Sequence, residues 1–480
     1  MKMHKQILML IIGFLLVLGG CSLAPKYQRP EAPVPADWPD DGADNGTTAA
    51  TGNATAVETD WEDFFPDKGL RQVIALALEN NRDLRLAALN VAKAEALYGV
   101  QRSDIFPALS VAGSGTKYQT ASDFTYTGAS RTGKEFTVDL GITAWEIDFF
   151  GRIRSLEDQA LQEYLATEAA RRGAQIALVS SVARTYMALA TDLDHLSLAR
   201  HTLEVQQAAY ALIKRRYEVG VVTELDLRQA QIPVDTALGD IARYRMQEAK
   251  DRNALNLLMG GNIPVRLLPT GLKSITPPRT VTPGLPSETL LLRPDIVAAE
   301  HQLKGAYAFI GAARAAFFPS ISLTTTIGTA SNQLSGLFGS GGGTWNFTPS
   351  VGLAIFDART WAAYRVSKAQ QNILLTQYEK TIQTAFKEVA DALAVQHHIG
   401  QQIVAQESLV GALDRTYELS NKRYRAGIDS YLGVLDAQRS LVDAQQGLAS
   451  LKLSRLANEV QLYAVLGGGG NEATKESRVK

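Results

Sequence analysis

The chain is written twice. Residues 81–109, NRDLRLAALNVAKAEALYGVQRSDIFPAL, recur in altered form at 293–321, RPDIVAAEHQLKGAYAFIGAARAAFFPSI. Asp83 aligns with Asp295, and Phe106-Pro107 with Phe318-Pro319, at an offset of 212. Further on, RRYEVGVVTELDLRQAQ (215–231) aligns with KRYRAGIDSYLGVLDAQ (422–438) at an offset of 207, pairing Gly220 with Gly427, Leu225 with Leu432 and Gln231 with Gln438. Gly260 and Gly467 share that offset. Several matches in one order at a nearly constant offset mean duplication. The connection, 261–290, is rich in Pro and Gly.

Each copy has the same organisation. An alanine-rich segment (82–104 and 294–316) reads as a helix. It stops before Phe-Pro, because a residue preceding proline is pushed towards extended backbone. A hairpin follows. Phe136, Val138, Leu140 and Ile142 alternate with polar residues and Gly141, as do Ile321, Leu323 and Ile327, and Trp345, Phe347, Val351, Leu353 and Ile355. Period-two alternation gives one apolar and one polar face. The stretches 120–134 and 335–343 read as the loops. Then come very long helices: 152–219 holds no proline and one glycine, and about 68 residues at 1.5 Å each make roughly 100 Å. The second copy, 359–426, has similar length. Val182, Leu189, Leu196, Leu203, Tyr210 and Tyr217 recur every seventh residue. So do Val389, Ile403, Val410, Tyr417 and Tyr424, with Gln396 as the exception. A seven-residue repeat implies left-handed supercoiling. Gly220 and Gly427 suit the left-handed backbone of a turn into a return helix.

Four alternating strands cannot close a barrel, since the smallest common membrane barrel has eight. An open sheet in lipid leaves edge groups unpaired at several kcal/mol each. If these strands enter a membrane, several chains must share one barrel; three chains give twelve strands.

The N-terminus also addresses a membrane. Lys2, His4 and Lys5 precede an apolar run, Ile7 to Leu18, which at about twelve residues is too short to span a bilayer. Leu18-Gly19-Gly20-Cys21 follows, and Cys21 is the only cysteine. The stretch resembles a bacterial lipobox, in which the cysteine is acylated and becomes residue one. Several acyl chains give a stable anchor. An ordinary signal peptide with a chance cysteine is the other reading. Ser22 in place of an aspartate favours the outer membrane within that resemblance. Residues 24–60, with Pro25, Pro30, Pro33, Pro35 and Pro39, read either as a tether over the protein surface or as disorder.

The whole mature chain resembles the TolC-like outer-membrane efflux channels, in particular the lipoprotein branch exemplified by OprM and CusC. The resemblance is carried by CSLAPKYQRP (21–30), NRDLRLAA (81–88), WEIDFFGR (145–152), IGAARAAFFPSISL (310–323), FKEVADALA (386–394) and RYRAGIDSYLGVLDAQRSL (423–441). It implies a mostly α chain with a transmembrane β part. A trimeric twelve-stranded β-barrel, four strands per chain, would continue into an α-helical periplasmic barrel with a mixed belt. The division is a signal peptide (1–20), a lipid-anchored extended linker (21–60), a first repeat (61–260), a connection in the belt (261–290), a second repeat (291–467) and a flexible tail (468–480). The implied partners are two further copies in a homotrimer, a periplasmic adaptor, a resistance-nodulation-division pump of the inner membrane, and outer-membrane lipid.

The resemblance also places a periplasmic gate at Leu432–Arg439. Leu432 would narrow the pore, Asp436 would supply an acidic ring, and Arg439 would lie near it. Leu432 and Asp436 are four apart and share a helix face; three aspartates round one axis favour cations. The first copy has Leu225 but Gln229 at the equivalent positions, as expected if one hairpin gates and the other stays static. A solvated aspartate at a helix end is the plainer reading. Gly220 and Gly427 would meet the adaptor. Arg216, Tyr217, Arg423 and Tyr424 flank those turns and could link helices or dock the adaptor; they also suit surface and core positions of a coiled coil.

Other functions fit poorly. A net charge of −1 gives no footprint for nucleic acid. His397 and His398 are adjacent, about 100° apart on a helix, a poor metal pair. There is no phosphate loop or cysteine pair, so neither an enzyme nor a resident metal is expected, and the only attached group would be the lipid on Cys21. The reading is a passive exit duct for drugs or other small toxic compounds. A copper or silver duct of the same architecture is the alternative. Only Met187, Met246 and Met259 follow the signal, few for a soft-metal relay. A structural surface lipoprotein ranks third.

Overall fold

The computed structural model describes residues 22–35, 37–38, 59–126, 128–281 and 290–468. The signal peptide, Cys21, much of the linker and the C-terminal tail from 469 lie outside the described residues. Two compact units form, and each takes segments from both repeats. The first holds residues up to Glu31, Asn90–Thr167 and Ala298–Tyr378; the second holds Ala32–Leu89, Glu168–Val297 and from Glu379 onward.

After α1 (Lys68–Asn80), one order of elements occurs twice. The first copy is α2 (Arg82–Ser103), β1 (Leu109–Thr120), β2 (Arg131–Glu146), α3 (Arg152–Glu218) and α4 (Glu224–Met259). The second is α5 (Pro294–Ala315), β3 (Ser320–Ser331), β4 (Gly343–Gly352), α6 (Ala358–Arg425) and α7 (Tyr431–Val465). The heptad reading is visible in burial: Val182, Leu189, Leu196, Val389 and Ile403 are buried, while Gln396 is exposed. Among the described residues no helix is long and apolar enough to cross a membrane.

In the first unit the four strands form one antiparallel sheet in the order β1-β2-β3-β4. Register decides its faces, since residues directly opposite share a face. One face carries the rows Val111/Leu140/Ile327/Trp345 and Leu109/Ile142/Thr325/Phe347, with Ile321/Val351 and Leu323/Pro349 beside them. The other carries Ser114/Thr137/Ala330 and Thr116/Glu135, then Thr324/Thr348 and Thr326/Asn346. It is held by side-chain bonds such as Ser114 Oγ to Thr137 Oγ1 at 2.8 Å. The strands crowd on this polar face. A Cβ at Gly141 would lie 2.2 Å from the Thr325 carbonyl oxygen, and one at Gly328 2.2 Å from that of Val138. Glycine lets the backbones close up there.

Besides β4 ending at Gly352, short of Leu353 and Ile355, two details differ from expectation. Residues 131–134 and Thr120, expected in a loop, are strand, with Lys117 opposite Lys134 and Thr120 opposite Arg131. Hydrophobic alternation is silent where both faces are polar, and the backbone ladder alone carries the pairing. Second, the alternation on β2 is broken by a bulge between Ile142 and Trp145, where Ala144 has φ 52° and its N–H donates to Thr324 Oγ1 at 3.0 Å. The extra residue moves Trp145 onto the apolar face opposite Leu323. Its indole N–H donates to the Ile105 carbonyl at 3.1 Å.

The N-terminal segment of this unit runs antiparallel to α5. Arg314 donates to the Leu23 carbonyl at 3.1 Å, and Arg29 donates to Glu300 Oε2 at 2.8 Å. The Tyr27 and Tyr307 rings meet edge to face at 5.4 Å. A Cβ at Gly311 would lie 2.9 Å from Ala24 Cα, so this glycine makes room for the crossing. Burial pushes the Glu300 carboxyl up, but Lys304 and Arg29 together hold it below the usual carboxylate range. Residues 23–29 thus lie along α5.

The second unit has its core around Phe64, Phe65 and Tyr463, with Phe64 and Tyr463 stacked at 4.0 Å. Arg293 is buried beside it, donating to Asp295 and Glu388 at 2.8 Å and to the Val465 carbonyl at 2.7 Å. It thereby ties the start of α5 to the last turn of α7. Arg293→Met should cost roughly 2–4 kcal/mol, because a buried carbonyl and two acids lose their cation. A fall in the thermal unfolding midpoint of the detergent-extracted protein checks this.

An acid pair links α3 to α4. Burial first, then a hydrogen bond and repulsion from Asp192, push Asp251 up to about 7, while Gln247 Nε2 donates to its other side at 3.2 Å. His195, 3.7 Å from Asp192, meets the Tyr244 ring at a tilt, with centroids 5.1 Å apart. A carboxyl raised in the fold stabilises below its unfolded value, and the benefit is lost as pH rises through about 7. The midpoint should therefore fall between pH 5 and pH 8.5. Asp251→Asn should raise it clearly more at pH 8.5 than at pH 5.

Candidate functional site: a two-faced sheet and two helical turns

The turns at Gly220 and Gly427 are built alike. Both glycines are left-handed, at φ 77° and 71°. Gly220 N–H donates to the Tyr217 carbonyl and Val221 N–H to the Arg216 carbonyl, each at 2.9 Å. Gly427 and Ile428 bond the Tyr424 and Arg423 carbonyls in the same way, at 2.9 and 3.0 Å. These are Schellman closures, and only glycine takes the left-handed position without strain. The Arg-Tyr pairs thus supply carbonyl acceptors to their own turns. Their side chains do more. Arg216 Nη1 donates to the Tyr424 hydroxyl at 3.4 Å, so the two hairpins touch. Tyr424 packs on a small core of Ile213, Ala230, Tyr431 and Val434. Tyr217 is exposed.

The turns differ in what locks them. In the first, Thr223 and Asp226 form a capping box into α4, which holds the Asp226 carboxyl below its usual range through the Thr223 hydroxyl and N–H. In the second, Ser430 makes no side-chain cap, and Gly433 stands where Asp226 does. Its closure is instead an Arg423–Asp429 ion pair, with the shorter bond at 2.5 Å. That pair lies at the surface and is screened by salt. A helix start without its side-chain cap bond is weaker by about 1 kcal/mol. The α6–α7 hairpin is the less firmly locked of the two.

On α7, Tyr431, Val434, Ala437, Gln438 and Leu441 are buried, whereas Leu432, Asp436 and Arg439 lie on the exposed stripe. Arg439 Nη2 donates to Asp436 Oδ1 at 3.3 Å. The structure brings these three together on one stripe. Arg423–Asp429 was missed in sequence; Asp429 sits between the glycine and the helix start, where only the second copy carries an acid.

The other feature is the sheet. Its apolar face is exposed: Leu109, Val111, Ile327, Trp345 and Val351 are each more than 60% accessible. The outer edges of β1 and β4 have no strand partner among the described residues. From Ile321 to Ser331 is about 34 Å along the strand, or about 26 Å in height at a tilt near 40°, the apolar height of an outer-membrane barrel. An exposed apolar face backed by a polar one, on an open-edged sheet, defines a segment of a membrane β-barrel.

The chain belongs to the outer membrane efflux protein family, whose model matches residues 73–261 and 285–468. It is 46% identical over 476 residues to the toluene efflux pump outer membrane protein TtgC of Pseudomonas putida, covering 99% of this chain and 98% of that one. Among solved structures, a membrane protein from Pseudomonas aeruginosa matches with a TM-score of 0.86 and 38% identity, over 93% of this chain and all of its own. The open state of the Neisseria gonorrhoeae MtrE outer membrane channel matches with a TM-score of 0.83 and 35% identity, over 94% and 98%. The fold is that of the TolC-type outer-membrane channels, as the resemblance implied: mostly helical, internally duplicated, with four strands per chain.

Proposed function

We propose that this protein is the outer-membrane exit duct of a tripartite efflux pump, working as a homotrimer. The sheet carries the reading. A face of Leu, Val, Ile, Phe and Trp suits lipid, a face of Ser and Thr suits water, and unpaired edges require neighbours. Exposure on α2 adds to it. Its repeat partner α5 buries Ile296, Leu303 and Ile310, yet α2 leaves Leu86, Leu89, Leu97 and Val100 exposed, a face for an adjacent copy. Leu432 and Asp436 narrow the resting periplasmic mouth, and Asp436 favours cations there. The Gly220 and Gly427 turns meet the adaptor, whose pull on the weaker second hairpin opens the mouth under an inner-membrane pump. Cys21 carries the lipid: Leu23, two residues on, is bound to Arg314, six residues before β3.

The cargo is small organic compounds, apolar solvents and drugs, in keeping with a relative whose name says toluene. The test is a host lacking its own duct but keeping adaptor and pump. Expression should restore tolerance to toluene and drugs. Restoration of copper or silver tolerance alone would favour the metal reading; no restoration with protein present in the outer membrane would count against the duct.

A further inference from the structure

Beyond the apolar rows, at the hairpin end of β1 and β2, Lys117 stands directly opposite Lys134. Both belong to the apolar face, one row past Gly115/Phe136 and three past Val111/Leu140. Like charges opposed on neighbouring strands are destabilising, and among the described residues no carboxylate pairs with either. Glu135, the next residue, belongs to the polar face opposite Thr116. Cβ atoms of such a pair stand about 5 Å apart, so two ammonium groups, each with three donors, can converge on one phosphate.

We infer that Lys117 and Lys134 bind the phosphate of an acylated lipid in the outer leaflet. The inference rests on the duct reading, which turns this face to lipid and the hairpin end of β1 and β2 outwards. Charge decides the headgroup, because a phosphate neutralises two otherwise unpaired cations. Continuity decides for lipid over free phosphate: the row beneath is Gly115 with the Phe136 ring 3.1 Å from where a Cβ would be, then Val138, a flat apolar track for acyl chains.

The test compares the full protein with K117Q/K134Q and K117R/K134R, each extracted in mild detergent, delipidated and titrated with diphosphoryl lipid A. Native mass spectrometry counts both chains and bound lipid. Wild type and the arginine pair should bind; the glutamine pair should bind roughly tenfold or more weakly. Equal binding by the glutamine pair overturns the proposal, as does equal binding of the dephosphorylated lipid by wild type. Displacement by millimolar inorganic phosphate assigns a free-anion site and overturns it too. The same spectra separate the two readings. A trimer indifferent to the lysines sinks this inference alone, whereas a wild-type single chain sinks the duct and this inference with it.

Discussion

Leu140→Arg is expected to abolish accumulation of the protein in the outer membrane. Leu140 lies on β2 between Val111 and Ile327, in the middle of the apolar rows. A charge on the lipid face near the midplane costs about 2–4 kcal/mol, and a shared barrel holds three copies, so roughly 6–12 kcal/mol per trimer. That is comparable with a whole domain's stability. The control lies on the same sheet. Ser114→Arg points to the polar face and loses one hydrogen bond, worth about 1 kcal/mol. It should leave assembly intact. Quantitative blotting of outer-membrane fractions reads both. Equal loss in the two variants would mean the faces are wrongly assigned.

Leu432→Ala should raise the conductance of the purified protein in planar bilayers roughly threefold or more, because in the proposed gate three side chains would leave a narrow mouth together. Leu432 is 49% accessible, on the opposite side of α7 from Tyr431 and Val434. Such a surface change costs within about 0.5 kcal/mol of stability, so altered conductance would not reflect unfolding. Leu225→Ala, at the equivalent place in the capped first hairpin, should leave conductance unchanged. Asp436→Asn should lower cation preference, measured as a shift in reversal potential. Equal effects at Leu225 and Leu432 would contradict the assignment of the gate to the second hairpin.

What could be read from sequence follows from which forces leave a pattern. Duplication and the apolar rows at 136–142 and 321–327 leave one, because lipid- or core-facing side chains must be apolar at period two. The rows at 116–120 and 131–134 leave none, since ladder hydrogen bonds hold any residue type. The bulge at Ala144 has no signal either; it shows only in the odd parity of Trp145. The helices of the two repeats look alike in sequence, yet α5 is core and α2 is bare, because burial depends on what lies alongside. The path of residues 23–29 along α5 rests on Arg29, Tyr27 and the gap at Gly311, contacts too distant in sequence to anticipate. Of the gate, the shared face of Leu432 and Asp436 follows from helical spacing, whereas its place at a pore came from resemblance. The Arg-Tyr pairs before each glycine were visible at a constant offset, but their work as turn acceptors needed the backbone.

The account stands or falls on chains sharing one barrel. Light scattering of the native protein from outer-membrane fractions, in mild detergent with the detergent mass subtracted, tests it most directly. A mass of three chains is the predicted result and gives twelve strands to close the barrel. A mass of one chain would leave the outer edges of β1 and β4 unpaired in lipid and contradict the duct.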